Sequence, residues 1–400
     1  MKKSRSIVKR NIKRRAVLKA GAGLAALAAA SVGMPRILRA ADTVKIGFLT
    51  AFTGLETILG ETQYNCFALG VEELNAKNGI GGRKIEVVKE DDQTTTQGCI
   101  DKARKLVFRD KVDVIIGLIA SLEHVAVRSV TTPAHKLLMY TTYYEGEVCE
   151  RYFVATGQVP NQQIDPMTKW LTANVGKSVY ILGSDYIWPR RSAVAIKTAF
   201  EADGGKVLGT DFFPFGTQDF GPALDKVKAA NPDMVWMMVA GADGVTVLQQ
   251  YRSFGMKQQL VGNGWDEVYS FAHPDLAAGV ISNQAYFMTI DNPQNKAFVS
   301  AYQAKFGKDK PINAIGEAAY DALHLYALAV EKAGSTDVEK VIPALSQVAF
   351  EAPQGHVNIS AANNHMRCNS ILARARPDGM WETVQNFGQI DPIIPGCKLD

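Results

Sequence analysis

The chain has 400 residues, 47% of them apolar and 21% charged, with a formal net charge of +4. This composition is that of an ordinary globular protein, and it excludes collagen, coiled coils and long disordered chains. Single hydrophobic cores rarely grow beyond about 250–300 residues, so two domains are expected. Only one long apolar stretch is present, at the N-terminus, which excludes a polytopic membrane protein.

The positive charge belongs to the N-terminal segment. Residues 1–41 contain eleven Lys and Arg and no acid, and removing them leaves 33 basic and 40 acidic residues, a net charge of −7. Arg14-Arg15 precede a short apolar run and the small residues Ala40-Ala41, a pattern typical of a twin-arginine signal peptide. We therefore predict export to a bacterial periplasm, with an uncleaved N-terminal anchor as the alternative. The acidic body gives no electrostatic basis for binding nucleic acid.

The five cysteines suit an oxidising compartment. Cys66 and Cys99 fall near the first two predicted helices and are the predicted disulfide. Cys149, Cys368 and Cys397 leave an odd thiol, and five buried thiols are the alternative. There is no CxxC motif, and the six histidines are scattered without ligand spacing, so neither a metal nor a cofactor is predicted.

After Asp42 the hydrophobic pattern alternates between strands and helices. Short apolar runs bounded by turns predict strands, and apolar residues spaced three and four apart predict helices. The first series has strands over 44–50, 84–90, 112–117 and 137–141, and helices over 60–78, 97–109 and 122–134. Such βαβ units predict a parallel sheet with helices on both faces.

A second series follows the polar, turn-rich segment 142–152. It has helices over 162–173, 190–203, 220–229, 245–254, 295–306 and 314–332, and strands over 178–183, 206–213, 234–239, 260–262 and 280–288. The last 50 residues are strand-like, with turns at 353–355 and 377–379. The two series share one order, which predicts an α/β fold of two similar doubly wound parallel-sheet lobes joined by a multi-strand hinge.

The predicted domain organisation has three parts. Residues 1–41 form the signal peptide, 42–158 plus about 286–355 the first lobe, and 159–285 plus about 356–400 the second. Ligands of doubly wound sheets bind outside the carboxyl ends of the strands. The loops at those ends are 50–59, 92–96, 118–121, 140–146, 184–189, 240–244 and 263–267. Because the chain has no GxSxG, Walker A or HExxH motif, no enzyme is indicated.

In the first lobe, hydroxyl groups in these loops are candidate ligand contacts. Ser121 is predicted to open a helix, where its hydroxyl and the free backbone N–H groups can bind a carbonyl or a carboxylate. Tyr140 and Thr142 end the next strand, and the tyrosine can stack on a planar ligand. An ordinary N-cap for Ser121 and a core position for Tyr140 are the alternatives.

In the second lobe the candidates are aromatic and acidic. Tyr186 and Trp188 follow the first strand of that lobe and are expected to face the cleft. The alternative is that they only pack against the rest of the lobe at the start of a capped helix. Asp243 and Asp266 follow later strands, where acids more often cap helices than touch a ligand.

Several stretches, taken in order and at their spacing, carry a family resemblance. They are Tyr144-Glu145-Gly146, Pro160-Asn161-Gln162-Gln163, Gly183-Ser184-Asp185-Tyr186-Ile187-Trp188-Pro189-Arg190, Glu317-Ala318-Ala319-Tyr320, Glu351-Ala352-Pro353-Gln354-Gly355 and Asn363-Asn364-His365. From residue 44 to about 387 the chain resembles the type I periplasmic binding proteins, in the branch that includes urea, short-chain amide and branched-chain amino acid receptors.

The resemblance extends to the predicted pocket. Ser121, Tyr140 and Thr142 fall where the amide-binding relatives have pocket residues, and Tyr186 and Trp188 match a tyrosine pair. The sequence departs from the relatives in two places, since Ile119 replaces an aromatic residue and Trp188 replaces the second tyrosine. Both changes alter the shape of the predicted pocket.

The resemblance implies a non-enzymatic periplasmic receptor. It would deliver urea, a short-chain amide or a related small polar solute to the permease subunits of an ABC importer by cleft closure. The first alternative is an amino acid receptor, with Asp243 or Asp266 as the partner of the ligand's ammonium group. The second alternative is a ligand-sensing regulatory protein, but the export signal argues against it. An unrecognised hydrolase would require a nucleophile–base pair that the sequence does not indicate.

Overall fold

The computed structural model describes residues 43–399, so the predicted signal peptide lies outside the described residues. The strands of the first sheet are β1 Val44–Thr50, β2 Ile85–Asp91, β3 Val114–Gly117, β4 Leu137–Tyr140 and β5 Phe153–Ala155. They are all parallel, in the order β2-β1-β3-β4-β5. The helices that alternate with them are α1 Thr57–Ala76, α2 Thr96–Arg104 with its π-helical continuation Lys105–Asp110, and α3 Ser121–Thr131.

The second sheet begins with five parallel strands. These are β6 Ser178–Ser184, β7 Lys206–Phe213, β8 Met234–Met238, β9 Gln259–Gly262 and β10 Ile281–Gln284. The accompanying helices are α4 Pro160–Asn174, α5 Ile187–Ala202, α6 Gly221–Ala230, α7 Gly241–Ser253, α8 Glu267–Ala272 and α9 Pro274–Ala277. The predicted α/β fold with two parallel-sheet lobes is confirmed.

The last third of the chain serves both lobes. Its helices are α10 Pro293–Phe306, α11 Ala314–Ala333 and α12 Val338–Leu345. Its strands are β11 Ala349–Ala352, β12 Gly355–Ile359, β13 Met366–Ala375 and β14 Trp381–Ile390. The helices α11 and α12 pack on the first sheet, whereas the four strands extend the second sheet by antiparallel pairing from β10.

We call the first sheet with α1–α3 and α10–α12 the first lobe, and the second sheet with α4–α9 the second lobe. Strand β1 contributes to a hydrophobic core on each face of the first sheet. Ile46 and Phe48 pack against α1 and α11 on one face, and Leu49 packs against α2 and α3 on the other. Burial on both faces explains the continuous apolar runs of β3 and β4. The exact lobe boundaries stay a prediction.

Polar side chains hold the connections between the lobes. The Gln158 amide donates to the carbonyl of Asn369, and the Gln162 amide donates to the carbonyls of Met366 and Ile390. A single bridge also pairs Ala155 with His365. These bonds join the segment from the end of β5 to the start of α4 to β13 and β14, where the predicted hinge lies. Within residues 43–399, no helix has the length and apolar character that crossing a membrane requires.

The predicted pairing of Cys66 with Cys99 is wrong. The structure joins Cys149 to Cys397, with Cα atoms 5.4 Å apart, and Cys66 and Cys99 are free and buried. Cys66 lies on α1 beside α11, where its sulfur approaches Gly316, and Cys99 lies on α2 on the opposite face of the first sheet. The sheet therefore separates the two thiols that sequence order had suggested as partners.

Candidate functional site

A cavity lies between the two lobes, at the carboxyl ends of their strands. Six of the seven loops selected from the sequence contribute residues to its wall, and only 92–96 does not. The cavity is small. The space open to the centre of a water-sized sphere is about 20 Å³, which is enough for one or two water molecules. With the lobes in this arrangement the site suits a small ligand and leaves little space around it.

Ser121 lines the cavity at the first residue of α3. The carboxylate of Glu123 accepts hydrogen bonds from the N–H groups of Ile119 and Ala120, at 2.6 and 3.1 Å, and this fixes the loop that leads into the helix. The Ser121 hydroxyl donates to Glu145 at 2.6 Å. Burial raises the pKa of Glu145, but contacts with His124 and Ser121 outweigh it and lower that pKa. Glu145 is therefore ionised and can only accept.

Thr142 and Tyr143 form the next part of the first-lobe wall. The Thr142 hydroxyl donates to the carbonyl of Leu118 at 2.8 Å. The Tyr143 ring lies 5.3 Å from the ring of Trp188, which belongs to the second lobe. Sequence reasoning missed Tyr143, because it selected Tyr140 and Thr142 just before it and had no signal for which residue of the 140–146 loop turns toward the cleft.

Tyr140 does not line the cavity. It is completely buried in the first-lobe core, against the rings of His124, Tyr144 and Phe153. Its hydroxyl donates to the carbonyl of Ile119. The structure thus corrects the prediction: Tyr140 supports the loop that carries Ser121 and does not enclose a ligand.

Tyr186 and Trp188 form the aromatic part of the second-lobe wall, as the sequence had suggested. Tyr186 is the N-cap residue of α5, and its ring stacks on Phe215 with centroids 5.2 Å apart. Tyr269, which sequence reasoning did not select, also lines the cavity, and its hydroxyl accepts from the N–H of Gly241 at 3.1 Å.

Asp243 and Asp266 lie outside the wall of the cavity. The Asp243 carboxylate accepts from the N–H of Gly216 at 2.7 Å. Asp266 caps α8 by accepting from the N–H of Val268 at 3.1 Å, and burial raises its pKa to about 7. Each acid holds a loop through the backbone, so the structure does not place either one where a ligand ammonium would need it.

The acid that lines the cavity is Glu56, at the N-terminus of α1. Its side chain is fully buried, and neither carboxyl oxygen has a hydrogen-bond donor among residues 43–399. Burial and the charge of Asp92 raise its pKa to about 8, although a contact with Glu123 lowers it. Two ionised carboxylates in contact repel each other, and with a pKa of about 8 Glu56 keeps its proton at neutral pH.

A family model described as periplasmic binding protein matches residues 43–380. The chain belongs to this family. This periplasmic binding protein shares its fold with a solute-binding protein of an ABC transporter from R. palustris in complex with benzoate, with a TM-score of 0.82 at 23% identity over 90% of this chain and 100% of the other. A leucine-binding protein from Thermotoga maritima gives 0.77 at 22% identity, over 88% and 99%.

Curated relatives of this periplasmic binding protein are named as amino-acid-binding proteins. The Leu/Ile/Val-binding protein homolog 6 of Brucella abortus is 24% identical over 352 residues, covering 83% of this chain and 87% of the relative. The leucine-, isoleucine-, valine-, threonine-, and alanine-binding protein of Pseudomonas aeruginosa is 26% identical over 337 residues, covering 82% and 89%. The predicted family is confirmed, while the urea and amide branch stays a prediction.

Proposed function

We propose that this protein is the periplasmic receptor of an ABC importer and binds a small polar solute, such as urea or a short-chain amide, between its lobes. The observation that carries the proposal is the cavity itself. It brings Ser121 and Thr142 of the first lobe opposite Tyr186 and Trp188 of the second. Binding would close the lobes about the hinge and present the loaded form to the permease subunits. Export by the twin-arginine route is part of the same proposal.

The dimensions and chemistry of the cavity support a small planar ligand. The reachable space is limited, and aromatic rings from both lobes stand on its sides, with Tyr143 and Trp188 already in contact. Hydroxyl and backbone groups supply hydrogen bonds, and each buried ligand group left unpaired would cost about 1–3 kcal/mol. Specificity would therefore come from pairing every polar atom of the ligand.

An amino acid is the second candidate ligand. The curated relatives named above are Leu/Ile/Val-binding proteins, and the α3 N-terminus with Ser121 is suited to a carboxylate. The acid that would meet the ammonium group is Glu56, in place of Asp243 or Asp266. A regulatory sensor remains less favoured, because a sensor with a cytoplasmic partner would not need an export signal.

Thermal shift and calorimetry on the mature protein, with amides, ureas, amino acids and aromatic acids, would test the proposal. Trp188 and Trp265 both line the cavity, so a true ligand should also change the intrinsic tryptophan fluorescence. Small-angle scattering should show a smaller radius of gyration when the ligand saturates the protein. Tight binding with no change in either signal would contradict binding between the lobes.

A further inference from the structure

The first-lobe wall of the cavity offers hydrogen-bond acceptors. Ser121 donates its proton to Glu145, and Thr142 donates its proton to the carbonyl of Leu118. Each hydroxyl has one proton and two lone pairs. With their protons directed into the protein, both hydroxyls present lone pairs to a ligand. A group that can only accept would find no donor in these two hydroxyls.

Glu56 adds a buried carboxyl group to the same wall. It is fully buried, it lines the cavity, and neither of its carboxyl oxygens has a donor among residues 43–399. No lysine, arginine or histidine of the described chain lines the cavity. A buried carboxyl group whose oxygens are both unpaired is unfavourable, so its position on a ligand cavity calls for a hydrogen-bond donor that the ligand brings.

The titratable groups around Glu56 supply no positive charge. Glu123 on α3 and Asp92 after β2 stand behind it, and each has one carboxyl oxygen without a donor among the described residues. The other titratable groups near Glu56 are Cys99 on α2, Tyr140 and Tyr143 in the first lobe, and Tyr186 and Tyr269 in the second. None of these groups is a cation.

We propose that Glu56 anchors the nitrogen end of the solute: the ligand presents N–H donors to Glu56, Ser121 and Thr142. This inference rests on the proposed function and narrows its ligand class to amides, ureas or amines. It sets this protein apart from the benzoate-bound R. palustris protein, because benzoate carries no N–H group to donate to Glu56, Ser121 and Thr142.

The two nitrogen sources differ in how they affect the proton on Glu56. An ammonium group favours the ionised form of Glu56, so its binding displaces the proton that the raised pKa keeps there at pH 7 and releases up to one proton to the buffer. A neutral amide or urea donates to the Glu56 carboxyl group without displacing that proton, and no release is expected. Calorimetry at pH 7 in two buffers with different ionisation enthalpies measures this difference directly.

The decisive comparison uses acetamide, urea, L-leucine and benzoate with the wild type, Glu56→Gln and Glu267→Gln. Glu267 is a matched control because it is equally buried but does not line the cavity. Glu56→Gln should weaken an ammonium ligand at least 100-fold and a neutral amide about 5- to 50-fold. In Glu267→Gln the affinity for either kind of ligand should stay within about 2-fold of the wild-type value. Circular dichroism checks that both variants are folded.

Each outcome separates the inference from the proposed function. Binding of acetamide, urea or leucine that falls in Glu56→Gln and not in Glu267→Gln supports both. Benzoate as the tightest probe, or equal affinities in the two variants, would overturn the role of Glu56 and leave the receptor intact. Failure of all four probes to bind the wild type would count against the proposed ligand classes and this inference together.

Discussion

The substitution Glu56→Gln should stabilise the ligand-free protein, and increasingly so as the pH rises. Burial and Asp92 raise the pKa of Glu56 from 4.5 to about 8 in the folded protein. Between these two values the folded state holds the proton more firmly than the unfolded state, so stability falls as pH rises. Each pH unit in this window costs about 1.4 kcal/mol. The total is roughly 5 kcal/mol above pH 8 and nearly zero below pH 4.5.

Removing the titrating group removes this dependence. The introduced amide keeps the shape of the side chain and can donate to Glu123, so the difference between variant and wild type should grow from pH 5 to pH 8. Denaturant unfolding at pH 5, 6, 7 and 8, on protein freed of ligand by unfolding and dialysis, measures it. The exposed Glu382→Gln serves as the control and should show a small, pH-independent difference. A variant no more stable than the wild type at pH 8 would refute the reasoning.

Three other variants test the site and the disulfide. Gly264→Ala would place a methyl group 2.9 Å from the Tyr143 hydroxyl across the cleft, so ligand affinity measured by calorimetry should fall about 5- to 150-fold, and an unchanged affinity would contradict this contact. Ser121→Ala removes the hydroxyl that would accept a hydrogen bond from the ligand and that donates to Glu145. A comparable loss of ligand affinity is expected in the same assay. Replacing Cys149 and Cys397 with serine opens a loop of 248 residues and should lower the free energy of unfolding, measured without reductant, by about 2–5 kcal/mol. Equal unfolding midpoints for the variant and the wild type would argue that the bond is absent in the native protein.

Most of the fold could be predicted because the hydrophobic pattern is strong. The helices predicted at 295–306 and 314–332 appear as Pro293–Phe306 and Ala314–Ala333. The strand predicted over 280–288 is limited to Ile281–Gln284, because the chain leaves the sheet there and Asn283 and Gln284 bond to Gln163. The three-residue strand Phe153–Ala155 was not predicted, since so short a segment carries no periodicity.

The disulfide prediction was wrong for a different reason. Sequence order placed Cys66 and Cys99 on neighbouring helices, but consecutive crossovers in a doubly wound sheet can lie on opposite faces, and here they do. Cys149 and Cys397 are the two cysteines in the least regular parts of the chain, the 141–152 loop and the C-terminal turn. Their proximity depends on where the C-terminal segment crosses the first lobe, which no local pattern encodes.

The loops of the site were predictable, but the direction of each polar group was not. The carboxyl ends of parallel strands follow from the fold class alone, and they led to Ser121, Thr142, Tyr186 and Trp188. Whether a hydroxyl donates or accepts toward a ligand depends on a tertiary partner: Ser121 has Glu145, 24 residues away in sequence. Glu56 was overlooked in a selected loop because only its neighbours Glu123 and Asp92, brought close by folding, make it unusual.

These orientations give the two lobes complementary roles. The first lobe presents acceptors at Ser121, Thr142 and Glu56. The second lobe contributes Tyr269, whose hydroxyl accepts from Gly241 and keeps its own proton for a ligand. A solute with donors at one end and an acceptor at the other can bond to both lobes at once, whereas a carboxylate alone satisfies one. Under the proposed role of Glu56, closure around the cavity would favour amides, ureas and amino acids, and Glu56 would set how much of the binding free energy depends on the ligand's nitrogen.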